Sequence, residues 1–408
     1  MIDIVTSLTI VSDGHEDEVC FFGRIDEEKR EIVLHYELDR TGNVLLQAED
    51  FWKRKLVLSV KSTDARIYSV YGCHLLHQSK FFSSSGMGML KGVFERLIMQ
   101  NSPSELYDSI SFVFKDIERV FPLLEIRVGN QDQNKLLSLS QDEPKNHFCI
   151  VDEGISGTIT SHFQGIPSDP CVEIHITQEK TIELSFEQSK TADELLNVLS
   201  KAKLYIEFLL SQEIQLTSIR LINKEKHYIS QVLADSLFSP YTFIKPIDST
   251  PYRHSVEDFF AGLHGWFANI EKYSRVIDIW KKTIYNTNVS DEDIFIWRCQ
   301  AFELLCALTD EIKEEAYKVL APDQSNPNVR NYLSVVSSRY DIARSFSDYY
   351  SDVKDVRDKL THNNPKKTVT EDQIKNAYGL INYFLIATIA MIMGIKCRLP
   401  MFILKPKK

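Results

Sequence analysis

The spacing of apolar residues changes once along this chain. Up to about residue 228 it follows the two-residue period of strands, and after Ser239 it follows the longer period of helices. In the first part, residues 30–38, 55–60, 66–71, 171–176 and 181–186 are rich in β-branched residues, aromatics and leucine, several with apolar–polar alternation, which predicts short strands. Turn-forming residues separate them at Arg40-Thr-Gly-Asn, Gly165-Ile-Pro-Ser-Asp-Pro and Gln178-Glu-Lys. One helix interrupts the strands over residues 192–210, where Leu195, Leu199, Ile206 and Leu210 fall near one stripe, and a strand over 215–222 follows it.

In the second part four long helical stretches are expected, over 256–283, 291–320, 329–361 and 371–395. Their breaks have a chemical basis. Asn288-Val-Ser-Asp-Glu-Asp supplies caps and first-turn acids, while Ala321-Pro-Asp-Gln-Ser-Asn-Pro and Asn363-Asn-Pro-Lys-Lys end helices through proline. Thr370-Glu-Asp-Gln has the spacing of a capping box. The fold expected is α+β in two domains: a β-rich regulatory or sensor domain over 1–228, a connector over 229–254, and an all-helical bundle over 255–408.

Composition adds little to this, since 43% hydrophobic and 25% charged residues are ordinary for a globular chain. The N-terminus has no basic stretch before an apolar one, and the seven scattered cysteines form no CxxC pair, so a cytoplasmic protein with reduced thiols is expected. The apolar run 379–395 is short for a bilayer and contains Asn382, Tyr383 and Thr388, which predicts a buried or subunit-facing helix and no membrane partner. Charge is uneven. The net charge is −10, yet residues 352–408 hold 11 Lys and Arg against five Asp and Glu, so the C-terminal end is basic on an acidic chain. Such an end suits a phosphate backbone, and Lys359, Lys366 and Lys367 are the candidate RNA-binding residues; a solvated face is the other reading.

The candidate chemistry lies in Arg357-Asp-Lys-Leu-Thr-His362. A pattern this short recurs by chance, and Arg30…His35 and Arg220…His227 also satisfy it. The first of these lies in a predicted strand, where positions five apart face opposite sides, and the second straddles a strand end. Arg357 and His362 lie near a helix end. Pro365 disfavours helix at Asn364, so unwinding around His362 is expected to turn the imidazole back towards Arg357. A fixed guanidinium can stabilise charge building on phosphorus, and an imidazole can serve as acid or base at the 2′-hydroxyl or the leaving oxygen, which together would cleave RNA without a metal. Alternatively, the two side chains simply cap carbonyls at the helix end.

This segment resembles the signature of the HEPN ribonucleases, in which an Arg precedes a polar residue and a His follows after a short spacer. Trp297-Arg-Cys-Gln-Ala-Phe-Glu303 resembles an early helix of that family. The resemblance implies Arg357 and His362 as the catalytic pair, with Asp358 at the position that is commonly Asn, Glu303 as a support for Arg357, and Asn363 as an aid to RNA placement. Glu303 as a surface acid and Asn363 as a plain C-cap remain open. The order of a β-rich domain before a terminal HEPN domain is similar to the ApeA-type anti-phage proteins. It implies an endoribonuclease, restrained until a phage-derived trigger arrives, that cuts RNA, transfer RNA among the candidates. The same resemblance implies 2′,3′-cyclic phosphate ends, no cofactor and no metal, and a homodimer whose protomers share a composite site.

Two further function classes stay open. One is a noncatalytic HEPN-like RNA-binding or dimerisation module with a β-rich sensor, and the other is a HEPN partner modified at a tyrosine such as Tyr349 or Tyr350. Cys73-His-Leu-Leu-His77 has no second cluster to complete a zinc site, and Gly86-Met-Gly-Met-Leu-Lys-Gly92 fits no phosphate loop. Asp132 with Glu143-Pro-Lys145 has a proline where a metal nuclease needs a strand.

Overall fold

The computed structural model of the chain describes residues 1–408 other than 13–14, 38–55, 81–86, 100–104, 122–126, 130–137, 141–148, 153, 168–173, 239–253, 286–288, 323, 343, 363–368, 398 and 400–408. The fold is α+β, with a β-rich N-terminal region and a helical C-terminal region. Two compact units form: Met1–Lys115, Thr158–Ser200 and Gln215–Tyr241 make the first, and Asp116–Gly157, Lys201–Ile214 and Thr242–Lys408 the second. The chain therefore passes between units several times, where a single connector was expected.

The first unit begins with strands β1 (Ile2–Ser12), β2 (His15–Asp26), β3 (Glu31–Glu37), β4 (Leu56–Ser62), β5 (Ile67–Lys80) and β6 (Met87–Val93). Each pairs antiparallel with two others in the cycle β1-β2-β3-β6-β5-β4 and back to β1, a closed six-stranded barrel whose strands have no open edge within the cycle. Alternation decides the inner face: Ile4, Phe21, Ile25, Ile32, Leu34, Leu58, Val60 and Val70 are buried together, while Phe22 and His35 point outward and stack with ring centroids 5.5 Å apart. β5 can close the barrel because it changes neighbours at Gly72. Before that residue it pairs with β7 (Arg96–Met99) and after it with β6, and Gly72 sits at φ +61°, a left-handed backbone that a side chain would strain.

From β7 the sheet continues outward through β15 (Tyr228–Ala234), β14 (Leu216–Asn223), β8 (Tyr107–Phe114) and β13 (Ile174–Lys190) to β12 (Ile155–Pro167). Helix α1 (Ala192–Leu210) follows β13, with Leu195 and Leu199 fully buried.

The second unit holds the short β9 (Arg127–Gly129), β10 (Ser138–Ser140) and β11 (Cys149–Asp152), and helices α2 (Val256–Ile270), α3 (Ser274–Tyr285), α4 (Asp291–Leu308), α5 (Asp310–Lys318), α6 (Val329–Tyr340), α7 (Tyr350–His362) and α8 (Glu371–Ile392). The C-terminal half of α1 joins it through aromatic packing. Tyr205 and Phe208 lie against Trp266, and the Trp266 indole N–H donates to the Lys201 carbonyl at 3.0 Å. α4 runs through the middle of the helices, against α3, α7 and α8, with Phe302 set edge-on to Phe384 of α8. α8 buries Leu380, Ile381, Phe384, Leu385 and Ile389 inside this unit. The apolar run read from sequence is thereby accounted for within one chain, and gives no argument for a subunit contact. No described helix is long and apolar enough to cross a membrane.

Several expectations need correction. β13 continues through Gln178-Glu-Lys, so these residues make no turn, and the turn expected at Arg40-Thr-Gly-Asn lies outside the described residues. β15 occupies the segment read as connector, its alternating Ser230, Val232 and Ala234 buried. Three of the four helical stretches are each broken once. The break in the second stretch lies at Thr309, whose φ is −100° and ψ 102° and whose hydroxyl bonds the Leu305 carbonyl and the Tyr273 hydroxyl. α6 stops at Asp341 in the left-handed region, φ 55°.

Candidate functional site

α4 and α7 bring together two of the residues singled out from sequence. Ser290 caps α4 by accepting from the Asp293 N–H, and Asp291, Glu292 and Asp293 complement the positive end of the helix. Phe295, Cys299, Phe302 and Cys306 form its buried stripe and fix its rotation. Glu303 follows Phe302 at the edge of that stripe. On α7, Val353 and Val356 are buried, which turns Arg357 to the flank beside α4. The Arg357 guanidinium donates from Nη2 to Glu303 Oε2 at 2.7 Å, with the two side chains 28% and 19% exposed, so the pair is shielded while part of the guanidinium still meets solvent.

Glu303 is held from a second side by the Val329 N–H in the first turn of α6, one of the amides a helix leaves without an intrahelical partner. Burial pushes the Glu303 carboxyl above the usual range, opposed by the Arg357 charge and the Val329 N–H. The carboxylate that fixes the arginine is thus itself costly to ionise. Asp358, next along α7, reinforces this with its own negative charge and lies 3.9 Å from Lys354 one turn earlier. Beneath the pair, burial raises the Cys299 and Cys306 thiols, which makes them apolar filling at neutral pH.

The remaining predicted residues divide. His362 is the last residue of α7, so the backbone stays helical up to it, while its side chain and residues 363–368, where the rest of the expected unwinding would fall, lie outside the described residues. Five positions on an unbroken helix are about 140° apart, so the backbone sets Arg357 and His362 of one chain on different faces. Lys359 is partly buried on α7, while Asn363, Lys366 and Lys367 lie outside the described residues. Tyr350 is only 4% exposed, edge-on to Phe384, and Tyr349 is partly buried beside it.

Arg298 was not singled out from sequence. It is partly buried, its buried Nε has no hydrogen-bond partner among the described residues, and burial lowers its guanidinium to about 10. Five positions before Glu303 on α4, it belongs to another flank of the helix and does not join the pair. A charged residue within an apolar stretch is the only signal the sequence offered for it.

Among the described residues no group of three or more His, Cys, Asp or Glu is placed to hold a metal ion. Cys73 is fully buried on β5, its thiol pushed up to about 12 by burial. Residues 87–92 of the glycine-rich candidate are paired strand in β6, and Asp132, Glu143 and Lys145 lie outside the described residues.

Compared with known proteins, residues 3–263 match the model of the family described as ApeA N-terminal domain 1. No curated protein and no solved structure matches the chain.

Proposed function

The chain belongs to the ApeA N-terminal domain 1 family, and from that premise we propose that it is a phage-defence endoribonuclease whose helical unit resembles the HEPN enzymes. The observation that carries this reading is the placement of Arg357, a permanent cation fixed by Glu303 and still open to solvent, in the helix that ends at His362. A guanidinium in that state offers its remaining N–H groups to phosphate oxygens as charge builds on phosphorus. His362 would move the proton at the 2′-hydroxyl or at the leaving 5′-oxygen. Attack of the 2′-oxygen on phosphorus and departure of the 5′-oxygen give a 2′,3′-cyclic phosphate and a 5′-hydroxyl, with no metal required.

The helical phase of α7 bears on how the pair would meet. Because Arg357 and His362 of one chain are on different faces, the reading calls for a homodimer in which the arginine of one protomer works with the histidine of its partner. The same observation keeps the second reading alive. Without that dimer, the helical unit would be a noncatalytic RNA-binding module beside a β-rich sensor.

The test is incubation of wild type, Arg357→Ala and His362→Ala with total and transfer RNA in EDTA, followed by mapping of the product ends. Cutting by wild type alone, with cyclic phosphate ends, supports the ribonuclease. RNA binding by all three without cutting, in the presence of lysate from phage-infected cells as well as in its absence, favours the binding module. Equal cutting by the variants rejects the site.

A further inference from the structure

The first unit contains a cleft of about 580 Å³ that arises from a break in its own sheet. β14 and β15 are paired from Asn223↔Tyr228 to Arg220↔Gln231. Continued, that register would set Ile219 against Val232, Ser218 against Leu233 and Thr217 against Ala234, but the ladder stops. Each strand stays paired on its far side: β14 with β8 through Ser218↔Val113 and Ile219↔Phe112, and β15 with β7 through Val232↔Ile98 and Ala234↔Leu97. Both strands carry an irregularity at this place, β14 between Leu216 and Ser218 and β15 between Val232 and Ala234, and such bulges add local twist that splays neighbouring strands. The cleft is lined by these same residues, Thr217, Ser218 and 232–234. Two strand edges therefore face one opening, and over these residues their main-chain groups are not paired with each other.

The β2–β3 turn reaches the mouth with Glu27, Glu28 and Arg30, and Asp235 lies at its floor. Asp235 is already answered by Arg96 and by the Leu237 N–H at 2.9 Å, and Glu27 lies 3.8 Å from the Met1 amino group. Glu28 is exposed and has no ion pair among the described residues. Of the three carboxylates in the lining two are already paired, which leaves Glu28 beside the Arg30 guanidinium, in a chain whose residues before 352 carry the whole excess of acid.

We propose that the opening between β14 and β15 binds an extended, basic segment of a partner protein by strand addition, with main-chain hydrogen bonds to the open edges and a Lys or Arg side chain set against Glu28. Strand edges supply affinity without regard to sequence, and the pockets and charges beside them supply selection. The volume lies within the roughly 300–1,000 Å³ of ordinary ligand sites, room for a few residues of peptide. A nucleic acid fits poorly, since the lining offers its phosphates a single guanidinium, Arg30, and sets Glu28 beside it. The inference takes the regulatory role of the first unit from the proposed function, and makes this cleft the place where a trigger protein is read. Its test measures peptide binding and not RNA cleavage, so the two can fail separately.

The full chain is titrated with a dye-labelled Lys-Val-Lys-Val-Lys-Val peptide, its Glu-Val counterpart, and a version N-methylated along one backbone edge, with hydrogen exchange followed in parallel. The basic peptide is expected to bind and to slow exchange at 217–219 and 232–234. The acidic and N-methylated peptides, and the variants Glu28→Lys and Ser218→Trp, are expected to bind at least about tenfold more weakly. Equal binding of the N-methylated peptide, protection elsewhere, or no saturation up to on the order of 1 mM peptide overturns the proposal. So does displacement of the peptide by a short single-stranded RNA.

Discussion

Arg357 and Glu303 meet across α4 and α7 at 2.7 Å, and the carboxylate that orients the guanidinium is one whose ionisation burial opposes. The pairing fixes the cation's direction at a cost in stability. Glu303→Gln keeps the shape and an acceptor oxygen while removing the charge. Its expected effect on RNA cleavage is a loss of about tenfold to a hundredfold, because a loosely held guanidinium is less well placed as charge develops. Binding of uncleaved RNA should change far less. Equal losses in binding and in cleavage would show that Glu303 acts on the surface charge and not on the arginine.

The sign of the Glu303 shift also predicts a stability profile. A carboxyl raised in the folded chain stabilises it below the usual glutamate range, and that contribution disappears as pH rises through the raised value. Glu303→Gln lacks this dependence. Thermal melting should find the variant at least as stable as wild type near neutral pH and lose any advantage below about pH 4. A variant less stable at neutral pH, by more than the scatter of the melts, would mean that the bonds from Arg357 and Val329 outweigh burial.

His254 gives the opposite profile. It is 2% exposed in the second unit, and burial lowers its imidazole to about 4, with the Asp258 charge opposing and Lys396 assisting. A histidine depressed in the fold leaves stability intact above its unfolded value near 6.5, and the stability falls as pH drops towards 4. The full difference is about 3 kcal/mol. Urea unfolding between pH 7 and pH 4 should show this loss for wild type and a shallower one for His254→Gln; parallel profiles would place the acid sensitivity elsewhere.

Glu207 anchors α1 in the second unit. It is fully buried and accepts from Lys203 Nζ at 2.5 Å, from the Ile214 N–H at 3.2 Å and from the Tyr285 hydroxyl. Glu207→Ala leaves a buried ammonium and two donors without their acceptor, so a loss of about 3–5 kcal/mol is expected. The double variant Glu207→Ala, Lys203→Met should recover part of it, because the uncompensated charge is then gone. Urea denaturation of both variants measures the difference, and no recovery would mean that Tyr285 and the Ile214 amide carry the cost.

These networks mark the limit of what the chain revealed as a string. Local signals were legible: the Thr370–Gln373 capping box forms as its spacing predicts, and α1 spans 192–210 as its stripe predicts. The break at Thr309 was not, because a threonine does not end a helix by itself and the bond that stabilises the break comes from Tyr273, 36 positions away. Barrel closure was hidden for the same reason, since β5 meets β6 only through the turn of the chain at Gly72. At the candidate site, the Arg357–Glu303 pair was suggested by family resemblance and joins helices 54 positions apart. The helical backbone up to His362 was not legible from Pro365, because a proline restrains chiefly the residue before it and α7 runs through His362.

That path makes the shared site directly testable. With α7 unbroken through His362, an intramolecular pair and an intermolecular pair predict different behaviour of mixed variants. Arg357→Ala protomers keep His362, and His362→Ala protomers keep Arg357. If each site takes one residue from each chain, a heterodimer of the two variants has one site with both groups and one with neither. Random mixing makes half the dimers heterodimers, so cleavage should return to about one quarter of the wild-type rate, starting from two inactive preparations. The protomers must be exchanged by mild denaturation and refolding together, or co-expressed with different tags and purified through both. Doubly tagged dimers should then reach about half the wild-type rate. If both groups instead came from the same chain, no mixture would contain an intact site and the doubly tagged dimers would stay inactive, which would refute the composite site while leaving the role of Arg357 in place.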